Sequence, residues 1–156
     1  MGVITKKAID DFYANKRVAL IGASRKKSKY GGMLLKELKK RGYDVVPVNP
    51  NASEIEGIKC FANIGEVNPP VNVAFAVVPP SEQEKVAKEA AEAGIKTLWM
   101  HEHVMKGVSN PAAIGVLENR GVGCITGFCP MMFMPNTGLP HNIHKAIMGL
   151  FGALPK

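Results

Sequence analysis

Five short apolar runs, alternating with helical patterns, predict an α/β fold: a Rossmann-like, doubly wound, mainly parallel five-stranded sheet with helices on both faces. Three observations carry this. The first run, Arg17–Gly22, is almost continuously apolar and stops at a glycine, as a strand buried on both faces does. Segments with helical periodicity separate it from the later runs. Gly42 and Gly94 stand where two of those helices should end, the usual place for a residue that accepts a left-handed backbone.

The elements follow in order. After the strand 17–22 comes a helix over Tyr30–Arg41, with Met33, Leu34 and Leu38 read as one apolar face. "DVVPV", Asp44–Val48, is the second strand, in which Pro47 is awkward at a central position. "NPNAS" is a loop, and residues 55–67 form a short connection with one helical turn. Val71–Val78 is the third strand, stopped by Pro79-Pro80. Ser81 is placed as N-cap of the next helix, with Glu84 completing a capping box. Thr97–Met100 is the fourth strand, Pro111–Arg120 a helix, and Val122–Thr126 the fifth strand. An apolar stripe of Ile143, Ile147, Leu150, Phe151 and Leu154 predicts a tail helix. The expected strand order is 3-2-1-4-5, the usual nucleotide-binding solution.

The 156 residues read as one domain, with a core over about 12–129 and an extension over 130–156. No apolar run approaches the roughly 18 residues of a membrane span. Three cysteines with no CxxC pair suit a reducing, cytoplasmic setting. The pairs His101-x-His103, Cys124, Cys129, His141 and His144 match no zinc spacing, so no metal is expected. The net charge of +7 is uneven: residues 1–50 hold twelve Lys/Arg against four Asp/Glu, and the rest eight against nine. The excess positive charge therefore surrounds the first strand and the helix after it. No nucleic-acid or membrane partner is read from it; Lys36, Lys39, Lys40 and Arg41 suit a solvated helix face.

A doubly wound sheet binds ligands at the carboxyl ends of its strands. Four segments should meet there: Gly22–Ser24, Val48–Pro50, Val78–Pro80 and Met100–His103. Gly22 and Ala23 would let a phosphate approach the backbone, and the following helix start offers free N–H groups. Ser24 adds a hydroxyl; Arg25, Lys26, Lys27 and Lys29 add positive charge. The second strand ends in Asn49, not in the acid that holds a ribose diol in NAD sites, which leaves NADP or another phosphorylated ligand. Pro79-Pro80 makes a rigid wall without donors.

"VALIGAS", "GYDVVPVNPN", "EIEGIKCFANIGEV" and "AGIKTLWM" resemble the small CoA-binding proteins of bacteria and archaea. That family is similar to the CoA-binding domain of the succinyl-CoA synthetase alpha subunit. The resemblance covers residues 12–129 and implies a protein that binds CoA or acyl-CoA. By position it implies that Gly22, Ala23 and Ser24 meet the pyrophosphate and that Val48, Asn49 and Pro50 line the nucleotide side. Val78, Pro79, Pro80 and Met100 would flank the adenine or the pantetheine arm. CoA carries about four negative charges, which suits the basic turn, with Arg25 and Lys29 as outer phosphate contacts. His101 stands where many relatives carry Gln. No catalytic residue is assigned, and a homodimer or a partner subunit is left open. The alternatives are an NADP-linked reductase, an acyl-CoA ligase subunit acting with a partner, and a thiol redox sensor using Cys129.

Overall fold

The computed structural model describes residues 4–101 and 109–134, together with Ala146 and Pro155. His103, His141, His144 and, but for Ala146, the expected tail helix lie outside the described residues.

A helix that the sequence reading did not contain comes first: α1, Lys6–Ala14. Thr5 caps it, its side chain accepting from the Ala8 N–H at 3.2 Å. Ile9 and Phe12 face inward and are buried. Strand β1 spans Arg17–Ile21, α2 Tyr30–Lys40 and β2 Asp44–Val48. A small hairpin follows, β3 (Glu54–Ile55) paired antiparallel with β4 (Ile58–Lys59). A single 3-10 turn covers Ile64–Glu66, where one helical turn is expected. Then come β5 (Val73–Ala76), α3 (Pro80–Glu92), β6 (Thr97–Met100), α4 (Pro111–Asn119) and β7 (Gly123–Ile125).

The main sheet is five-stranded and parallel, in the order β2-β1-β5-β6-β7. The expected order 3-2-1-4-5 is therefore wrong; counted over the five long strands the order is 2-1-3-4-5. Pro47 gives a physical reason. It has no N–H, so it fits an edge strand and not an interior one. Its carbonyl accepts from the Phe61 N–H at 3.0 Å, on the side of β2 away from β1. The position that cannot donate is thus turned outward.

Alternate residues of each strand feed two cores. Val18 and Leu20 of β1, Phe75 of β5 and Trp99 of β6 pack with Phe12 of α1 and Leu34, Leu35 and Leu38 of α2. Ala19, Ile21, Ala74, Ala76, Leu98 and Met100 pack with Val86, Ala87 and Ala90 of α3 and Leu117 of α4. The first face is filled by rings, with Phe12 5.3 Å from Trp99 and 4.7 Å from Phe75 between centroids. The second is filled largely by small and aliphatic side chains, which lets α3 and α4 lie close.

Two local expectations change. Met33 is 43% exposed on the outer face of α2, opposite Leu34 and Leu38. Ser81 is not an N-cap: α3 starts at Pro80, with Pro79 as the cap residue and no side-chain cap. Proline at the first helical position lacks an N–H that would need a partner and has its φ already set, so the helix begins earlier. Glu84 pairs with Lys88 at 2.7 Å instead of completing a box. No helix among the described residues is long and apolar enough to cross a membrane.

Candidate functional site

The helices after β1 and β5 leave in opposite directions: α2 packs on the first core and α3 on the second. The connections of β1 and β5 thus run to opposite sides, the switch-point topology at which a doubly wound sheet forms its ligand crevice. Gly22 sits at its base with φ +85°. Its N–H donates to the Val48 carbonyl at 3.0 Å, and the Val77 N–H donates to the Ile21 carbonyl at 2.8 Å. A Cβ on Gly22 would lie 2.1 Å from the Val77 carbonyl oxygen. The glycine is required by the neighbouring strand and by its backbone angle before any ligand is considered.

Two further glycines were not singled out by the sequence reading. Gly31 and Gly32 open α2, and a Cβ on Gly31 would lie 2.2 Å from the Gly22 carbonyl oxygen, one on Gly32 2.4 Å from that of Lys26. Both allow the head of α2 to rest against the turn. The signal was present in "YGG", since two glycines in a first helical turn oppose helix propensity and call for a packing reason. The cap residue Lys29 offers no side-chain hydrogen bond to the helix start, so the first N–H groups of α2 are without a side-chain cap beside a glycine turn. That is the arrangement to which anions bind.

The predicted residues divide by placement. Arg25, Lys26, Lys27 and Lys29 are exposed along the turn; Lys27 reaches Glu56 at 3.6 Å. Ser24 is half-buried, and its oxygen accepts from the Lys26 N–H at 3.1 Å, which shapes the turn and leaves its hydroxyl proton to donate. Asn49 donates to the Ala23 carbonyl at 2.8 Å and accepts from the Asn51 N–H at 2.8 Å. Its amide ties the ends of β1 and β2 together, so it acts here as a brace. Pro50, Pro79 and Pro80 are exposed, and Val78 is half-buried, at the same edge. Ala23, Val48 and Met100 are buried, Met100 completely, so their side chains present no surface to a ligand arm. The Met100 side chain belongs to the second core.

A cluster links three strand ends. The Tyr30 ring lies parallel to His101 with 3.7 Å between centroids, and its hydroxyl is 3.2 Å from the Cys129 sulfur. Burial pushes the Tyr30 phenol far above its usual range, and Cys129 pushes it further. A hydrogen bond from the main chain of Met131 pulls weakly the other way. Tyr30 is thus a neutral phenol able to donate to sulfur. The segment after β7 is also held by Trp99, whose indole N–H donates to the Phe128 carbonyl at 3.0 Å, and by Tyr13, whose hydroxyl donates to that of Pro130 at 2.7 Å. A cleft of about 300 Å³ lies at the opposite edge of the sheet, between Phe12, Asn15, Asn72 and Lys96. It has none of the turn or helix-start chemistry.

The geometry has counterparts in known proteins. A conserved hypothetical protein from Pyrococcus furiosus is 42% identical with a TM-score of 0.64, over 72% of this chain and 94% of that one. The ADP-forming acetate–CoA ligase of Methanocaldococcus jannaschii is 38% identical over 81 residues, 52% of this chain and 12% of the ligase. The alpha subunit of the P. furiosus ADP-forming acetate–CoA ligase II is 34% identical over 89 residues, 56% of this chain and 20% of the subunit. The chain therefore spans an eighth to a fifth of these ligases. The relation is to ADP-forming acetate–CoA ligases, not specifically to succinyl-CoA synthetase. The family model described as the CoA binding domain matches residues 16–135, and the chain belongs to that family, with coenzyme A as its ligand.

Proposed function

We propose that this chain is a CoA-holding module without self-contained catalysis, working with a partner subunit in acyl-CoA ligase chemistry. The observation that carries it is the head of α2, without a side-chain cap and resting on a glycine turn, in a chain of the CoA-binding family. The Gly22–Ser24 backbone and the first N–H groups of α2 would take the pyrophosphate, and Arg25 and Lys29 the outer phosphates. Asn49 and Pro50 would flank the nucleotide side, with Val78, Pro79 and Pro80 as an apolar wall. When bound, CoA supplies the thiol that carries an acyl group. A partner subunit is supported by the likeness to the alpha subunit of an ADP-forming acetate–CoA ligase.

Calorimetry should show CoA binding more tightly than NADP, NAD or ATP at moderate salt. Tighter NADP binding would move the protein to the reductase class. The isolated chain given ATP, acetate and CoA should form no acetyl-CoA. A related ligase stripped of its CoA-binding domain should regain acetyl-CoA formation when this chain is added. Failure there, with CoA binding intact, removes the partner and keeps the module.

A further inference from the structure

Beyond Lys29, which is assigned to the outer phosphates, the outer face of α2 carries charge that the bound ligand does not use. Lys29, Met33, Lys36 and Lys40 fall within about 60° of one another around the helix, in a stripe about 16 Å long. All four are exposed, and Met33 is the exposed large hydrophobic among the described residues. Lys36 and Lys40 stand about 10 and 16 Å along the axis from the helix start. A phosphate held at the N-terminus is out of their reach.

The other helices of the chain treat their lysines differently. On α1, Lys6 pairs with Asp10 and Lys7 with Asp11; on α3, Lys85 pairs with Glu89 and Lys88 with Glu84. The acid of α2, Glu37, is engaged by Arg41. Among the described residues no carboxylate lies within ion-pair distance of Lys29, Lys36 or Lys40. Lys36 and Lys40 are instead a like-charge pair four residues apart, an arrangement that costs helix stability. The helix dipole favours Lys39 and Lys40 in the last turn, but explains neither Lys36 nor the exposed methionine.

We infer that this stripe is a docking surface for a partner protein, whose matching surface is acidic with an apolar side chain set against Met33. A methionine ringed by lysines suits a protein interface, with an adaptable apolar centre and a polar rim. A nucleic acid or a lipid headgroup layer would use the lysines and leave Met33 idle. The inference does not require the CoA reading, because its test is run without nucleotide.

The test measures binding of the full chain to a short immobilised peptide of glutamates interspersed with leucines, beside single-stranded oligothymidylate and phosphatidylserine vesicles. The peptide should bind most tightly. Lys36→Gln with Lys40→Gln should weaken it about tenfold, while Lys6→Gln with Lys7→Gln, an equal change in net charge, should alter it less than about twofold. Met33→Ser should weaken the peptide while leaving the salt dependence unchanged. Equal losses in the two double variants would mean that net charge alone attracts the peptide, and would overturn the surface. Tighter binding of the oligonucleotide or the vesicles, unaffected by Met33→Ser, would overturn the protein partner. Far-ultraviolet circular dichroism of each variant establishes that the fold is kept.

Discussion

Tyr30 and Cys129, ninety-nine positions apart, meet with 3.2 Å between hydroxyl and sulfur. Tyr30 is the first residue of α2, and Cys129 follows β7. The same ring stacks on His101, which follows β6. One side chain at the head of α2 therefore touches the segments that follow two other strands. A change in the position of that helix head would be felt at the thiol.

The buried phenols make stability depend on alkaline pH. Burial raises Tyr13 and Tyr30 well above their usual value near 10. In the unfolded chain both ionise near pH 10, while in the folded chain both keep their protons. Their stabilising contribution is intact below pH 10 and falls as pH rises above it. The melting temperature should drop from about pH 10 upward, and the phenolate absorbance of these two rings should appear together with unfolding. Tyr30→Phe should flatten the drop and lose the bond to sulfur at a cost of about 1 kcal/mol near neutrality. A phenolate signal from the folded protein for both rings would contradict this.

Gly22 and Gly31 fail differently when substituted. Gly22→Ala meets both a positive φ and the Val77 carbonyl. It should destabilise the protein by about 1–3 kcal/mol, so a loss of affinity there does not report ligand contact alone. Gly31→Ala keeps a helical backbone but drives its methyl into the Gly22 carbonyl. The head of α2 must then lift from the turn. Affinity for CoA should fall about tenfold or more, while helix propensity improves. Calorimetry beside thermal melts separates the two, and unchanged affinity in Gly31→Ala would show that the helix head is not part of the site.

Much of this was legible in the residues. The five parallel strands followed from apolar runs, and the converging edge followed from the glycine at the end of the first. The strand order was not, because periodicity says nothing about neighbours; yet Pro47 held the clue that β2 is an edge. Helix α1 has a short signal, the Thr5 cap and the Ile9–Phe12 spacing, which is weak beside the apolar runs of the strands. Met33 reads as inward-facing because an apolar residue beside leucines looks like core, and only the helical phase of Leu34, Leu35 and Leu38 excludes it. The meeting of Tyr30, His101 and Cys129 was invisible, since three distant segments come together through tertiary packing alone.

Asn49 illustrates a residue whose missing charge was read for the ligand and whose amide matters for the fold. Asn49→Asp would replace the donor to the Ala23 carbonyl by an oxygen. Two acceptors would then face each other, at a cost of about 1–3 kcal/mol. The carboxylate would also stand beside the Gly22–Ser24 turn. The expected outcome is a less stable protein with weaker CoA binding and no gain for NAD. A gain of NAD affinity at unchanged stability would show that the position senses the ribose.

The basic turn offers the most direct test of electrostatics at the site. Arg25, Lys26 and Lys29 are exposed, so neutralising them removes little packing and should move stability by less than about 0.5 kcal/mol. Arg25→Gln with Lys29→Gln should reduce CoA affinity about tenfold at low salt, and less as salt rises and screens the contacts. Lys27 differs, because the Glu56 carboxylate lies 3.6 Å from it. Glu56 has φ +53° beside Gly57 in the turn between β3 and β4, and its carbonyl also receives Lys39 at 3.3 Å. That turn therefore sets a negative group beside the basic loop after β1. Glu56→Gln leaves the main-chain contact in place and releases Lys27. CoA should bind about two- to threefold more tightly in this variant at low salt, and the gain should vanish in Lys27→Gln/Glu56→Gln. Titrations with CoA and with dephospho-CoA, which lacks the 3′-phosphate, assign the effect. If the released lysine serves the 3′-phosphate, the gain is confined to CoA. An equal gain with both places Lys27 at the pyrophosphate, and no gain with either means that Glu56 and Lys27 stand outside the ligand's field.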